Sequence, residues 1–121
     1  VCYGPLAAHR WQGERHSVEA APVKDLDERG VRVALITDAP LVSAHALIHH
    51  AGEAVRCGVP PWRALRMVTI NAAGILGDGA RIGSLAPGKD ADLALFSAAP
   101  AVETSARVLF TVINGQIVYR A

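Results

Sequence analysis

The chain has 121 residues, enough for one domain with a modest core. At 51% hydrophobic and 19% charged it is a globular sequence, and a net charge of +1 with scattered basic residues excludes an electrostatic footprint for nucleic acid or an anionic membrane. No apolar run is long enough to span a bilayer and no signal peptide is visible; Cys2 and Cys57 stand in no metal-binding or redox spacing, which predicts a reducing, cytoplasmic setting.

The opening "VCYGP" reads as a short strand closed by Gly4-Pro5. It begins without Met and already inside a strand, which predicts a processed or truncated product. A polar connector follows, from about residue 6 to 21, with His9, Arg10, Trp11, Glu14, Arg15 and His16. It is long for a connector, and long connectors in compact domains are often functional. Pro22 suits the first turn of a helix that stops at Gly30. Residues 31–37, "VRVALIT", then read as a strand, in which Val33, Ala34, Leu35 and Ile36 are a continuous apolar run of the kind seen in strands buried on both faces. Strand, loop, helix, strand is one βαβ unit, so the class is α/β.

That second strand ends on Asp38, followed by Ala39-Pro40. Two readings of the acid stand open. Asp initiates turns and caps helices; yet parallel α/β folds also place their chemistry at the carboxyl ends of strands.

A second helix is predicted over 43–57. Ala44, Leu47, Ile48, Ala51, Ala54 and Val55 form one apolar stripe, with Ser43 as cap and Gly58 as stop. His45 and His49 lie one turn apart on the opposite face. "HALIH" lacks the Glu of H-E-x-x-H, so the metalloprotease reading fails; with Glu53 and Arg56 nearby the pair reads as a solvated face. His50 carries no separate signal. Pro61 opens a third helix, "PWRALRMV", and Asn71 is expected to cap a short fourth, "AAGIL", ended by Gly77.

The pattern then changes. "GSLAPGKDADLALF" reads as strand, Pro87-Gly88 turn of type II, and strand, with Asp92 satisfying backbone donors as the second begins. "RVLFTVINGQIVY" reads as two strands joined by Asn114-Gly115, a type I′ hairpin. "GDGARIG" is not a nucleotide-binding fingerprint, because Ile82 stands where the third Gly is needed and a helix rather than a strand precedes it. Trp11 and Trp62 read as packing residues.

Together, "LITDAP", "ALRMVTINAAGILG", "RIGSLAPGKDADLALF" and "VLFTVINGQIVY" resemble, in that order, the C-terminal part of the amidohydrolase superfamily, with the flavour of its imidazolonepropionase-like metal-dependent hydrolases. The resemblance is strongest from Gly30 to Tyr119 and weaker around His9. It implies the last β/α units of a TIM-type (β/α)8 barrel, followed by strands of a small β-sandwich that the family builds from both chain termini. Residues 1–76 would be barrel and 77–121 sandwich. Residues 1–3 would be the seventh barrel strand and 31–37 the eighth.

The resemblance gives Asp38 a role. At the end of the eighth strand this family has an aspartate that binds metal, activates the hydrolytic water, or both; the metal, zinc by resemblance, lowers the pKa of its bound water to roughly 7. The loop carrying His9 and His16 would overlie the active-site face, making these two histidines candidate substrate contacts.

The departures are as informative. The family's metal site also uses a His-x-His pair after the first strand and residues from the fourth, fifth and sixth strands, none of which is present. A TIM barrel takes roughly 200 residues or more. Ala72 stands where the family commonly has Pro after the Asn. The expectation is therefore the C-terminal part of an enzyme that hydrolyses a C–N bond in a cyclic amide or related small molecule, inactive as this chain alone. Its partners would be its substrate and the missing N-terminal part of the barrel, and its unpaired edges predict self-association. The rival is a non-catalytic remnant acting as a folding or oligomerisation module.

Overall fold

A computed structural model describes residues 1–6 and 21–121, the side chain of Ala21 excepted. In chain order its elements are β1 (Cys2–Tyr3), α1 (Ala21–Glu28), β2 (Ala34–Leu35), a 3-10 turn (Ala44–Ala46), α2 (Leu47–Arg56), α3 (Pro61–Met67), α4 (Ile70–Leu76), β3 (Leu93–Phe96), β4 (Val108–Ile113) and β5 (Gln116–Arg120).

β1 and β2 pair in parallel, Cys2 opposite Ala34 and Tyr3 opposite Leu35. The ladder is extended by Ala34 N–H to the Val1 carbonyl at 2.8 Å and Ile36 N–H to the Tyr3 carbonyl at 3.1 Å. The predicted βαβ order is thus present, with α1 lying between two parallel strands. The second strand, Ala34–Leu35, is shorter than residues 31–37 suggest, its ladder to β1 running from Ala34 to Ile36.

α1 stops where Gly30 adopts φ +76. Gly30 N–H bonds the Asp27 carbonyl at 3.0 Å and Val31 N–H bonds the Leu26 carbonyl at 3.0 Å, the paired 5→2 and 6→1 bonds of a Schellman ending. This turn sends the chain straight into β2. α2 closes the same way, Gly58 N–H to the Val55 carbonyl and Val59 N–H to the Ala54 carbonyl. Ser43 caps the 3-10 turn ahead of α2 by accepting from His45 N–H at 3.4 Å.

The core lies between β2 and the helices. Val33 and Leu35 meet Val23 of α1, Ala51 and Ala54 of α2, and Ala64 and Met67 of α3, with Val59 between the last two helices. Alanines on the helix faces let the backbones approach closely, and Met67, fully buried, fills the space that remains.

α4 differs from expectation. It starts at Ile70 behind Thr69, so Asn71 lies within the helix and does not cap it. Its amide instead donates to the Val33 carbonyl at 2.9 Å, fastening α4 to the start of β2.

The segment "GSLA", expected as a strand, is a turn-rich connection. Its neighbourhood is tied locally: the Lys89 ammonium donates to the carbonyls of Gly79 and Ile82, Asp90 N–H bonds the Arg81 carbonyl at 3.0 Å, and the Arg81 guanidinium pairs with the Asp90 carboxylate. The type II turn at Pro87-Gly88 is present, Gly88 at φ +85 and Lys89 N–H on the Ala86 carbonyl.

β3, β4 and β5 form one antiparallel sheet in that order. β4 and β5 meet at the predicted Asn114-Gly115 turn, both residues at positive φ, with Ile113 opposite Gln116. The Asp92 carboxylate accepts from Asn114 N–H at 2.8 Å, as the sequence implied, and joins the start of β3 to the hairpin.

Candidate functional site

Because β1 and β2 are parallel, their carboxyl ends lie at one edge of the fold, and Asp38 stands there three residues beyond Leu35. The chain turns at once: Asp38 sits at φ +53, a left-handed conformation that short polar side chains tolerate, and Leu41 N–H closes onto its carbonyl at 2.9 Å. Thr37 beside it is buried, whereas Asp38 is exposed. The Gly4-Pro5 and Ala39-Pro40 peptide bonds, both cis, flank the same edge. The two readings of the acid are therefore compatible: Asp38 makes a turn, and the turn carries a carboxylate at the mouth of a parallel pair.

His45 and His49 are exposed, as a solvated face requires. His9 and His16 lie outside the described residues. Among the described residues no three His, Cys, Asp or Glu side chains come together as a metal site. The described donor set therefore does not fit a metal by itself; Asp38 is a single carboxylate on a strand end.

One functional-looking group escaped the sequence reading. His50 is 1% exposed, and neither ring nitrogen has a hydrogen-bond partner among the described residues. Burial pushes its pKa below the ordinary histidine value; Glu53 opposes that shift and His49 adds to it. Its position carried a signal, for it lies three residues after Leu47 and four before Ala54, on the stripe that enters the core.

Two parallel strands joined through a helix, a carboxylate at their carboxyl end and a separate antiparallel sheet define an α/β chain. The pattern of the Amidohydrolase family matches residues 12–118, and the chain belongs to that family. It is 42% identical over 91 residues to the imidazolonepropionase of Geobacillus thermodenitrificans, covering 67% of this chain and 20% of that protein. It is 29% identical to a 5-methylthioadenosine/S-adenosylhomocysteine deaminase of Symbiobacterium thermophilum, covering 98% of this chain and 30% of that protein. The crystal structure of an amidohydrolase from Thermotoga maritima superposes with a TM-score of 0.89 at 35% identity, over 98% of this chain and 30% of that one. The chain thus spans less than a third of the length of these relatives.

Proposed function

We propose that these residues are the C-terminal part of a metal-dependent amidohydrolase that hydrolyses a C–N bond of a cyclic amide or related small molecule. Residues 1–76 contribute the last β/α units of its barrel, and residues 77–121 contribute strands to a composite sandwich. The observation that carries the reading is Asp38 at the carboxyl end of a strand parallel to β1, in a chain of the amidohydrolase family. The names of two relatives, an imidazolonepropionase and a deaminase, favour small nitrogen-containing substrates.

In this reading Asp38 is the chain's contribution to a centre completed by residues outside it. An exposed carboxylate there can accept a proton from an attacking water and pass it to the leaving nitrogen. A divalent ion, zinc by resemblance, would supply activation of that water. His9 and His16 are the proposed substrate contacts. The 121-residue chain alone is inactive, because a catalytic zinc takes three protein ligands. Among the described residues no helix is long and apolar enough to cross a membrane. The free thiols of Cys2 and Cys57 favour a reducing, cytoplasmic setting.

The test is Asp38→Asn in the full-length protein, assayed on cyclic amides and amino-substituted heterocycles by loss of ring absorbance or release of ammonia. A loss of roughly 10²–10⁴ in kcat is expected for removal of a proton-transferring group. An unchanged kcat would overturn the assignment.

A second reading, a non-catalytic folding or oligomerisation module, is favoured by the sheet: Leu95 of β3 and Ile117, Val118 and Tyr119 of β5 are all exposed. It predicts a stable chain that associates without any accompanying hydrolase.

A further inference from the structure

At the opposite end of β2 from Asp38 lies an open cavity of about 380 Å³, framed by the α1–β2 turn, one side of α3 from Trp62 to Arg66, and the first turn of α4. Three guanidinium groups line it, Arg32, Arg63 and Arg66, against one carboxylate, Asp27. Asp27 is committed. It pairs with Arg63 at 2.9 Å and is 15% exposed, so that contact locks one arginine in place. The Arg63 guanidinium also lies over the Trp62 ring, 5.1 Å from its centre. Arg32 and Arg66 have no carboxylate partner among the described residues. Both are exposed to solvent and line the same cavity, so their positive charge is open to an incoming anion.

Arg32 lies beside α4, where a Cβ at Gly74 would meet its Nη1 at 3.0 Å. Trp62, 58% exposed, is unusual for a residue of its size and forms a flat wall to the same cavity. The volume exceeds what a bare oxyanion fills and falls in the range of small-molecule pockets, roughly 300–1,000 Å³. Arginine forks match the oxygens of phosphate in a way that lysine does not.

We propose that this cavity binds a phosphate oxyanion, free or carried by a small organic molecule, between the Arg32 and Arg66 guanidinium groups with Trp62 as its wall. The site is independent of the reading of Asp38, from which the whole length of β2 separates it. A ligand here would join the α1–β2 turn to α3 and α4, and so tighten the elements that pack on β2.

The test uses the full-length protein, with its Trp62→Phe variant as the reference that identifies the Trp62 contribution to the fluorescence. Inorganic phosphate, and then a phosphomonoester with an aromatic ring, are titrated at constant ionic strength while Trp62 fluorescence and the melting temperature are followed. A saturable fluorescence change with a rise in melting temperature is expected. Arg32→Gln and Arg66→Gln should each weaken binding about tenfold, the loss expected for one charge-assisted contact. A tighter phosphomonoester than phosphate would identify the carried form; equal affinities would identify the free ion. Circular dichroism of the unliganded variants separates lost binding from lost folding. Three results would overturn the proposal: an equal response to chloride, an unchanged phosphate affinity in the Arg32→Gln/Arg66→Gln variant, or binding seen only after an associated chain dissociates. The last would show that acidic side chains of a second copy fill the cavity.

Discussion

Gly4 and Ile36 meet where β1 and β2 end, and the meeting leaves no room for a side chain at residue 4. A Cβ on Gly4 would overlap the Ile36 carbonyl oxygen, and Gly4 holds φ +145, a conformation that L residues rarely adopt. Ile36 N–H bonds the Tyr3 carbonyl at 3.1 Å just beside it. The contact therefore sets the spacing of the two strand ends, two residues before Asp38.

Gly4→Ala should lower stability by about 2–4 kcal/mol, since steric overlap and backbone strain act together. Gly30→Ala is the control. Gly30 is at φ +76 with open space around it, so only the conformational cost of about 1 kcal/mol applies. Urea unfolding of both variants checks the order. Equal losses would show that the Gly4–Ile36 approach carries no steric demand.

Asn71→Ala removes the donor to the Val33 carbonyl. The expected loss is about 1–3 kcal/mol, the range for leaving a buried polar group without its partner. Asn71→Asp should be at least as harmful, because it sets a carboxylate against a carbonyl oxygen. Thermal melts followed by circular dichroism report both, and amide exchange at α4 should rise more than at the β4–β5 hairpin, which the bond does not touch.

His50 makes stability depend on pH. Its folded pKa lies below the unfolded value of about 6.5, chiefly through burial. Between the two values the unfolded chain binds a proton that the folded chain does not. The folded state thus holds its full advantage above about pH 6.5 and loses it as pH falls from there through the lowered folded value. His50→Leu should flatten that slope and add about 1 kcal/mol near neutrality by removing two nitrogens that have no partner among the described residues. Urea midpoints at pH 7.5 and 5.5 decide; a variant as pH-sensitive as the parent would assign the slope elsewhere.

The sheet should drive self-association. Ile117 is 62% exposed and Leu95 49%, in a sheet whose outer strands β3 and β5 each pair on one side only. Sedimentation velocity on the purified chain is expected to show mass rising with concentration, and Leu95→Lys with Ile117→Lys to reduce it. A monodisperse monomer at all concentrations would remove the prediction.

Much of this chain was legible in local sequence. Gly30 and Gly58 mark helix ends because each supplies the positive φ that the closing hydrogen bonds need. Asn114-Gly115 marks its hairpin for a similar reason, and the apolar stripe of α2 marks a buried face. Asp38 as the residue that ends a parallel strand followed from the order strand, helix, strand. In each case the deciding interactions span a few residues, so dihedral preference and periodicity encode them directly.

What the sequence alone determined is therefore the order of the helices and of the paired strands, where most of them stop, and the family. Tertiary structure alone decided the rest. Asn71 looked like a cap because its best local partner is a backbone N–H, yet it serves a carbonyl 38 residues away. His50 shared the spacing of the α2 stripe, but its burial without a hydrogen-bond partner among the described residues came from the core that closes over it. Arg32, Arg63 and Arg66 were scattered positive charges until the fold turned them towards one cavity. The "GSLA" segment read as a strand before a turn, yet it joins no ladder among the described residues, and contacts of Lys89, Arg81 and Asp90 hold the loop around it. The physical reason is common to all four. Side-chain hydrogen bonds, burial and charge act through space, and local preference carries no information about which distant backbone or charge will arrive beside a residue once the chain has folded.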